Sequence, residues 1–325
     1  MLSHSRRGAA TRAALIAATA VLSAAACSSS KSSSSSSPPP STAAPSSSAA
    51  AQFPVTVHAV TGDVTITKQP TAIVSLSPTA TEMLFAIGAG SQVKAVDKNS
   101  DYPANAPHTN LDALQLNPEA IANYQPDLVV ASGLSKTQTQ QLTKLNVQVL
   151  DEPAATDIDQ AYDQIAQLGQ ATGHTDGATT EVATMKQQIA SITKTTPKQN
   201  ATYYYELDQT YYSVTSTTFI GRVLGLLGLK SIADTAKGAA ASGGYPQLSA
   251  EFILKAEPSY VFLADTKCCK QSAATVAKRP GWSNLTAVSA GRVVALDDDI
   301  ASRWGPRIVD LLRVVAEAIH QHPMS

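Results

Sequence analysis

Short apolar runs alternate with amphipathic stretches along most of this chain. The segment "AIVSLSPTATEMLFAIGAGSQVKAVD" (72–97) shows the rhythm most clearly. Ile73–Leu76 is a continuous apolar run suited to a buried strand, and Ser77-Pro78-Thr79 turns the chain. Thr81–Ile87 has helical spacing, closed by Gly88 and Gly90, and Val93–Val96 is the next strand. Ahead of it, "VTVHAVTGDVTIT" (55–67) alternates apolar and polar positions, as a hairpin with its turn at Thr61-Gly62-Asp63 would. After it come a helix from Asn117, the strand "DLVVAS", a helix over Lys136–Leu145 and the strand "VQVLDEP". Short continuous strands separated by helices predict a parallel sheet covered on both faces, so 53–155 reads as one α/β lobe.

The rhythm then breaks. Residues 156–196 contain no strand pattern. Ile158, Tyr162, Ile165 and Leu168 share one helical face, and Val182, Met185 and Ile189 continue the spacing. This predicts a long linking helix, or two nearly collinear ones broken near Gly173, about 50 Å long if straight. Strands and helices resume over 197–325: "ATYYYEL", a helix and strand within 218–234, "SYVFLAD", a helical stretch at 271–279, "GRVVALD" and a C-terminal amphipathic helix over Pro306–His322.

The second α/β lobe repeats the first. "NPEAIANYQPDLVVAS" (117–132) aligns without gaps on "SAEFILKAEPSYVFLA" (249–264), placing Glu119 on Glu251 and Pro126 on Pro258. Each copy opens on a capping residue (Asn117, Ser249), carries the glutamate on the first helical turn, and ends the helix at the proline. "TFIGRVLGLLGLKSIAD" (218–234) likewise parallels "TEMLFAIGAGSQVKAVD" (81–97). Two glutamates at matching corners of two lobes complement helix dipoles, and they also suit a partner that is itself two-lobed.

Composition narrows the function. The 325 residues are 43% apolar and 15% charged, with formal net charge −1. The Lys and Arg residues are scattered, which excludes the basic stripe of a nucleic-acid surface. Residues 1–27 carry Arg6, Arg7 and Arg12 without an acid, then "AALIAATAVLSAAA", an apolar run too short to span a bilayer comfortably. This reads as an export signal. "LSAAAC" resembles a bacterial lipobox, which would make Cys27 the lipidated residue. Residues 28–52 are Ser- and Pro-rich and read as a disordered tether. The remaining cysteines, Cys268 and Cys269, are adjacent, and either form a vicinal disulfide or stand as free thiols. No HxxxH pair, GxSxG elbow, HExxH or P-loop occurs, which points away from an enzyme and from direct metal ligation.

"IVSLSPTATEMLFAIGAG", "NPEAIANYQPDLVVAS" and "RPGWSNLTAVSAGRVVALDDDIASRWGPRIVDLL" resemble the helical-backbone (class III) substrate-binding proteins of ABC importers, over about 70–322. The resemblance implies two Rossmann-like α/β lobes with mostly parallel sheets, joined by a rigid backbone helix, with ligand in the cleft between them. "TEMLFAIGAG" and "SRWGPRIVD" are most similar to the cobalamin-binding branch; haem and ferric siderophores are the ligands of its neighbours. It implies a lipid-anchored, extracytoplasmic monomer that carries a corrinoid or other metal chelate, uses no resident cofactor, and docks through Glu119 and Glu251 on a permease dimer. A non-transport surface signalling or adhesion protein on the same fold is the alternative of a different class.

Ligand would then touch loops at the inner ends of strands. Ser77, Pro78 and Tyr102 lie there in the first lobe and Tyr245 in the second. Aromatic faces suit a flat macrocycle or aromatic chelate, so Tyr205, Tyr211 and Tyr212 are candidates, with Tyr203 and Tyr205 on one side of their strand and Tyr204 on the other. Trp304 follows Arg303 in the loop "SRWGP" and is a candidate contact. Arg303 either meets a ligand oxygen or pairs with Asp297, Asp298 or Asp299. Trp282 is expected to pack within its lobe.

Overall fold

A computed structural model describes residues 52–323. The expected export segment, Cys27 and all but the last residue of the tether lie outside the described residues. The strands β1 (Val55–Ala59) and β2 (Gly62–Ile66) form the antiparallel hairpin. Ala59 pairs with Gly62, so the turn is Val60-Thr61 rather than 61–63. Gly62 takes φ 127°, a value that favours glycine, and this draws Asp63 into the ladder opposite His58.

The first lobe holds β3 (Ile73–Ser75), α1 (Pro78–Ala86), β4 (Val93–Val96), α2 (Pro118–Ala122), β5 (Leu128–Ala131), α3 (Lys136–Thr143) and β6 (Gln148–Asp151). Then come α4 (Ile158–Thr172) and α5 (Thr175–Thr195). The second lobe holds β7 (Ala201–Glu206), α6 (Phe219–Gly225), β8 (Leu229–Ser231), α7 (Ala250–Ala256), β9 (Tyr260–Leu263), α8 (Ala273–Ala277), α9 (Thr286–Ser289), β10 (Val293–Ala295) and α10 (Asp298–Ser302), and α11 (Ile308–Gln321) follows it. Strand order is β4-β3-β5-β6 in one sheet and β8-β7-β9-β10 in the other, and every pairing within them is parallel. The two lobes are therefore two copies of one α/β topology.

The repeat extends to backbone geometry. Asn117 Oδ1 accepts from Ala120 N, and Ser249 Oγ accepts from Phe252 N. Gln125 and Glu257, each directly before the repeated proline, both adopt left-handed φ, 47° and 46°. Proline disfavours the right-handed helical region for the residue before it, so both helices stop at the same point. The next strand then enters alike: Asp127 N donates to Ala72 O and Ser259 N to Thr202 O. The matched pair 81–97 and 218–234 keeps its elements but not its caps. Ser77 caps α1 and Thr218 caps α6, so the expected turn Ser77-Pro78-Thr79 is the first turn of α1, with proline at its start.

Residues 156–196 depart from the collinear expectation. Gly173 adopts φ 78° and the chain reverses there. Lys186 of α5 lies 4.8 Å from the Tyr162 ring centroid of α4, and a Cβ on Gly169 would stand 2.5 Å from that of Ala178. The helices thus form an antiparallel hairpin. Hydrophobic periodicity is the same in either arrangement; the small residues at 169 and 178 are what admit the close crossing. The α4 helix belongs with the first lobe, where Gln167 and Gln164 donate to the carbonyls of His58 and Pro153. The α5 helix carries the chain from the first lobe to the second, over about 31 Å. It starts against the first lobe, where a Cβ on Gly177 would stand 2.0 Å from Ile87 O, and ends beside α11, with Thr196 Oγ1 3.4 Å from His320 Nε2.

Each sheet has two covered faces. Val74, Ala95 and Val129 face Ile121 and Leu142 of α2 and α3; Tyr204, Val261 and Leu263 face Ile253, Val276 and Trp282. The opposite faces share one larger core, in which Ile73, Met83 and Leu84 of the first lobe and Tyr203, Tyr205 and Phe262 of the second are joined through α4, α5 and α11. Trp282 packs within its lobe as expected, with no solvent exposure.

Candidate functional site

All strands within a lobe run the same way, so their C-terminal ends form one edge. The two edges meet at the segment 297–307. Arg303, after α10, reaches into the first lobe: Nη1 donates to Glu82 Oε1 at 2.8 Å and to Asp101 Oδ1 at 3.1 Å, and Nη2 donates to the Asn99 carbonyl at 3.0 Å. Its own lobe supplies Asp299 Oδ1 at 2.7 Å. Arg307 reaches the same carboxylate, with Nε 2.9 Å from Glu82 Oε2 and Nη2 2.5 Å from Oε1. Trp304 Nε1 donates to Gln164 Oε1 of α4 at 2.8 Å. This polar clasp sits where strand-end loops of both lobes converge.

The electrostatics fit a clasp. The Glu82 side chain is 1% exposed. An isolated carboxylate at that depth is costly, and two guanidiniums compensate it. Burial opposes the charge on Arg303 and on Arg307, but the Glu82 hydrogen bonds and the surrounding carboxylates outweigh it and hold both above the usual arginine value. Beside the clasp is a cavity of about 440 Å³, lined by Glu82, Phe85 and Tyr102 of the first lobe, Gln188 of α5, and Arg307 and Val309 beyond the second lobe's last strand. The Arg307 guanidinium stands 4.1 Å from the Tyr102 ring centroid, a cation–π contact between the two sides.

On the second lobe's edge the loop 265–271 is tied down by acids. Asp298 accepts from Thr266 Oγ1 at 2.8 Å and from the N–H groups of Lys267 and Cys268 at 2.9 Å. Lys267 Nζ pairs with Asp297 and Asp299 at 2.9 and 2.5 Å. Cys268 and Cys269 are free thiols, the first exposed. Desolvation, then Cys269 and Asp298, push the Cys268 thiol up to about 12. Beneath the loop, Glu206 is fully buried and held by Arg279 through Nη1 at 2.6 Å and Nη2 at 2.5 Å. Asp265 is also fully buried and neither of its oxygens has a hydrogen-bond partner; burial first, then the Glu206 charge, push its carboxyl up to about 7. In the first lobe Glu152, after β6, is likewise buried and unpartnered, and is raised to about 7 by burial and the Asp151 charge.

A family model described as periplasmic binding protein matches residues 73–300. The chain belongs to the periplasmic binding protein family. It is 31% identical over 280 residues to the uncharacterized ABC transporter substrate-binding lipoprotein YvrC of Bacillus subtilis (strain 168), covering 82% of this chain and 86% of that one. It is 29% identical over 279 residues to a cobalamin-binding protein of Halobacterium salinarum (strain ATCC 29341 / DSM 671 / R1), covering 82% of this chain and 74% of that one. Among solved structures, a possible iron-binding (periplasmic solute-binding) protein of Staphylococcus epidermidis ATCC 12228 superimposes with TM-score 0.64 at 27% identity, covering 78% of this chain and all of that one.

In this periplasmic binding protein the expected ligand residues separate by exposure. Tyr102, Tyr212 and Tyr245 are 46, 41 and 44% exposed, Tyr102 with one ring face against Arg307. Tyr211, in left-handed backbone at φ 71°, is half-buried and stacks on Trp282 at 5.9 Å. Tyr205 is corrected to a core residue: it is fully buried and its hydroxyl donates to Ala301 O at 2.8 Å. Ser77 is buried and spends its hydroxyl oxygen capping α1, and Pro78 is the first residue of that helix. Arg303 pairs with Asp299, one of the three acids expected, and also with Glu82 and Asp101. Trp304, half-buried, directs its indole N–H to α4.

Glu82 and Arg307 were missed by sequence reasoning, although both lie inside quoted motifs. The available signal was a single acid in the apolar helix "TEMLFAIG". Such an acid either faces water or needs a buried cation. Glu119 and Glu251 are both exposed, at the second position of α2 and of α7.

Proposed function

We propose that this protein is the substrate-binding subunit of an ABC importer, which captures a metal chelate between its lobes and hands it to a dimeric permease. The observation that carries the reading is the duplicated lobe with an exposed glutamate at the same backbone position of each copy, in a chain of the periplasmic binding protein family. A two-fold permease offers two equivalent docking points, and this protein offers two equivalent acids. Lipidation at Cys27 would anchor a monomer on the outer side of the cell membrane. The protein binds rather than transforms its cargo and uses no resident cofactor; any metal arrives inside the ligand.

The preferred cargo is a corrinoid. Exposed rings on both lobes suit a wide, flat macrocycle, and a relative similar over 82% of this chain is named a cobalamin-binding protein. The possible iron-binding relative keeps haem or a ferric siderophore as the second reading. Titration with cyanocobalamin, haemin and a ferric siderophore, followed by tryptophan fluorescence, separates them. Trp304 reports through its contact with α4. Saturable binding of the corrinoid alone supports the first reading. Binding of none of the three rejects metal-chelate capture.

A further inference from the structure

The cavity beside the clasp has one wall that belongs to neither sheet. The α5 helix supplies Glu181 and Gln188 to it, seven residues apart and so on one helical face, about 10 Å from each other along the axis. Among the described residues on the cavity walls Arg307 is the only cation, and it is occupied: Nε and Nη2 donate to Glu82, and the guanidinium lies over the Tyr102 ring. The Asp310 carboxylate is taken by Arg313, which also donates to Gln188 Oε1 at 3.3 Å. Glu181 differs. It is half-buried, and among the described residues it has no hydrogen bond or ion pair. Burial raises its carboxyl above the ordinary carboxylate value.

A partly desolvated carboxylate without a donor is costly. Cargo that brings N–H groups to it offsets that cost. Cargo that brings a second carboxylate adds repulsion instead, and no wall cation is free to counter it. Corrinoids carry primary amides around the ring edge, each with two N–H donors, whereas haem carries propionates. A cavity of about 440 Å³ suits a drug-sized group, so a corrinoid would enter it by its edge. Tyr102, one of the exposed rings on which the corrinoid reading draws, is part of the same wall. We propose that Glu181 is a specificity-determining residue, which accepts hydrogen bonds from a peripheral amide of a bound corrinoid and excludes anionic cargo. This rests on the corrinoid reading.

The test compares cyanocobalamin with its three monocarboxylic acids, in each of which one propionamide of the ring edge is hydrolysed. Each is titrated into the full-length protein at pH 8, where the cargo carboxyl is ionised. The wild type should bind at least one of the acids about tenfold more weakly than cyanocobalamin, equivalent to about 1.4 kcal/mol. Glu181→Gln keeps the shape and loses the charge, and should bring that ratio to within about twofold. Glu181→Lys should reverse it in favour of the acid. A general loss of affinity from altered packing would weaken both ligands alike and leave the ratio unmoved. If the wild type binds all three acids as tightly as cyanocobalamin, or if the penalty survives in both variants, the role of Glu181 is overturned and the corrinoid reading stands. If cyanocobalamin does not bind at all, both are overturned.

Discussion

The first lobe turns the buried glutamate of its first helix, Glu82, outward to the other side of the cleft, whereas the second pairs its buried glutamate, Glu206, inside itself. Both lobes carry the same sheet order and the same helix ends. Yet α1 presents the buried Glu82 to arginines that follow the second lobe's last strand, while α6 carries only the exposed Arg222. The second lobe pairs Glu206 with Arg279 within itself, under the rings of Tyr211 and Trp282. Duplication thus kept the frame and the outer corners alike. The two lobes differ at the facing strand ends, where Glu82 meets Arg303 and Arg307 and Glu206 meets Arg279.

The largest effect should come from breaking the outward charge. Glu82→Ala leaves the buried Arg303 and the half-buried Arg307 without their shared carboxylate. Removing one partner of a buried pair typically costs about 3–5 kcal/mol. Urea unfolding should show a loss of this size, and the two lobes should lose their common transition, because the clasp is their main polar tie. Glu206→Ala should destabilise comparably while leaving the lobes coupled, because its partner is in its own lobe. Equal decoupling by both substitutions would remove the distinction drawn between them.

The outward clasp also shows what could be read from sequence. Strands, helices and the repeat were legible because periodicity and caps are local. Asn117, Ser249, Pro126 and Pro258 act within a few residues of themselves. The clasp joins residues 221 and 225 positions apart, and no local pattern marks Arg307 as the partner of Glu82. The α4–α5 reversal was hidden because helical spacing is indifferent to the angle between successive helices. Tyr205 was misassigned because alternation gives the side of a strand but not what covers that side.

A smaller effect compares the two unpartnered acids, Glu152 in the first lobe and Asp265 in the second. Each has its carboxyl raised to about 7 from an ordinary carboxylate value. The folded protein then binds these protons more tightly than the unfolded chain does. Their contribution to stability is fully present near pH 4 and is lost as pH rises through about 7. Asp265→Asn should flatten that fall and be most favourable, relative to wild type, above pH 7. Glu152→Gln should do the same independently, since the two residues belong to different lobes. Thermal midpoints between pH 4 and 8 provide the measurement; a slope unchanged in both variants would mean that these carboxyls titrate normally.

The smallest effect on the isolated protein should come from the two most similar residues. Glu119 and Glu251 are exposed and occupy the same position on helices capped in the same way. Glu119→Ala and Glu251→Ala remove no buried contact, so unfolding midpoints and cargo affinity should stay at wild-type values. Transport is where they should differ from an ordinary surface change. Under the docking role proposed for them, each substitution takes away one of two equivalent charge contacts, so each should impair uptake to a similar degree, and the double variant more severely than either. Similar single effects would support the symmetry of the docking face. A severe loss from one and none from the other would confine docking to a single lobe. Wild-type uptake by the double variant at normal protein levels would leave these glutamates with no role beyond their helix dipoles.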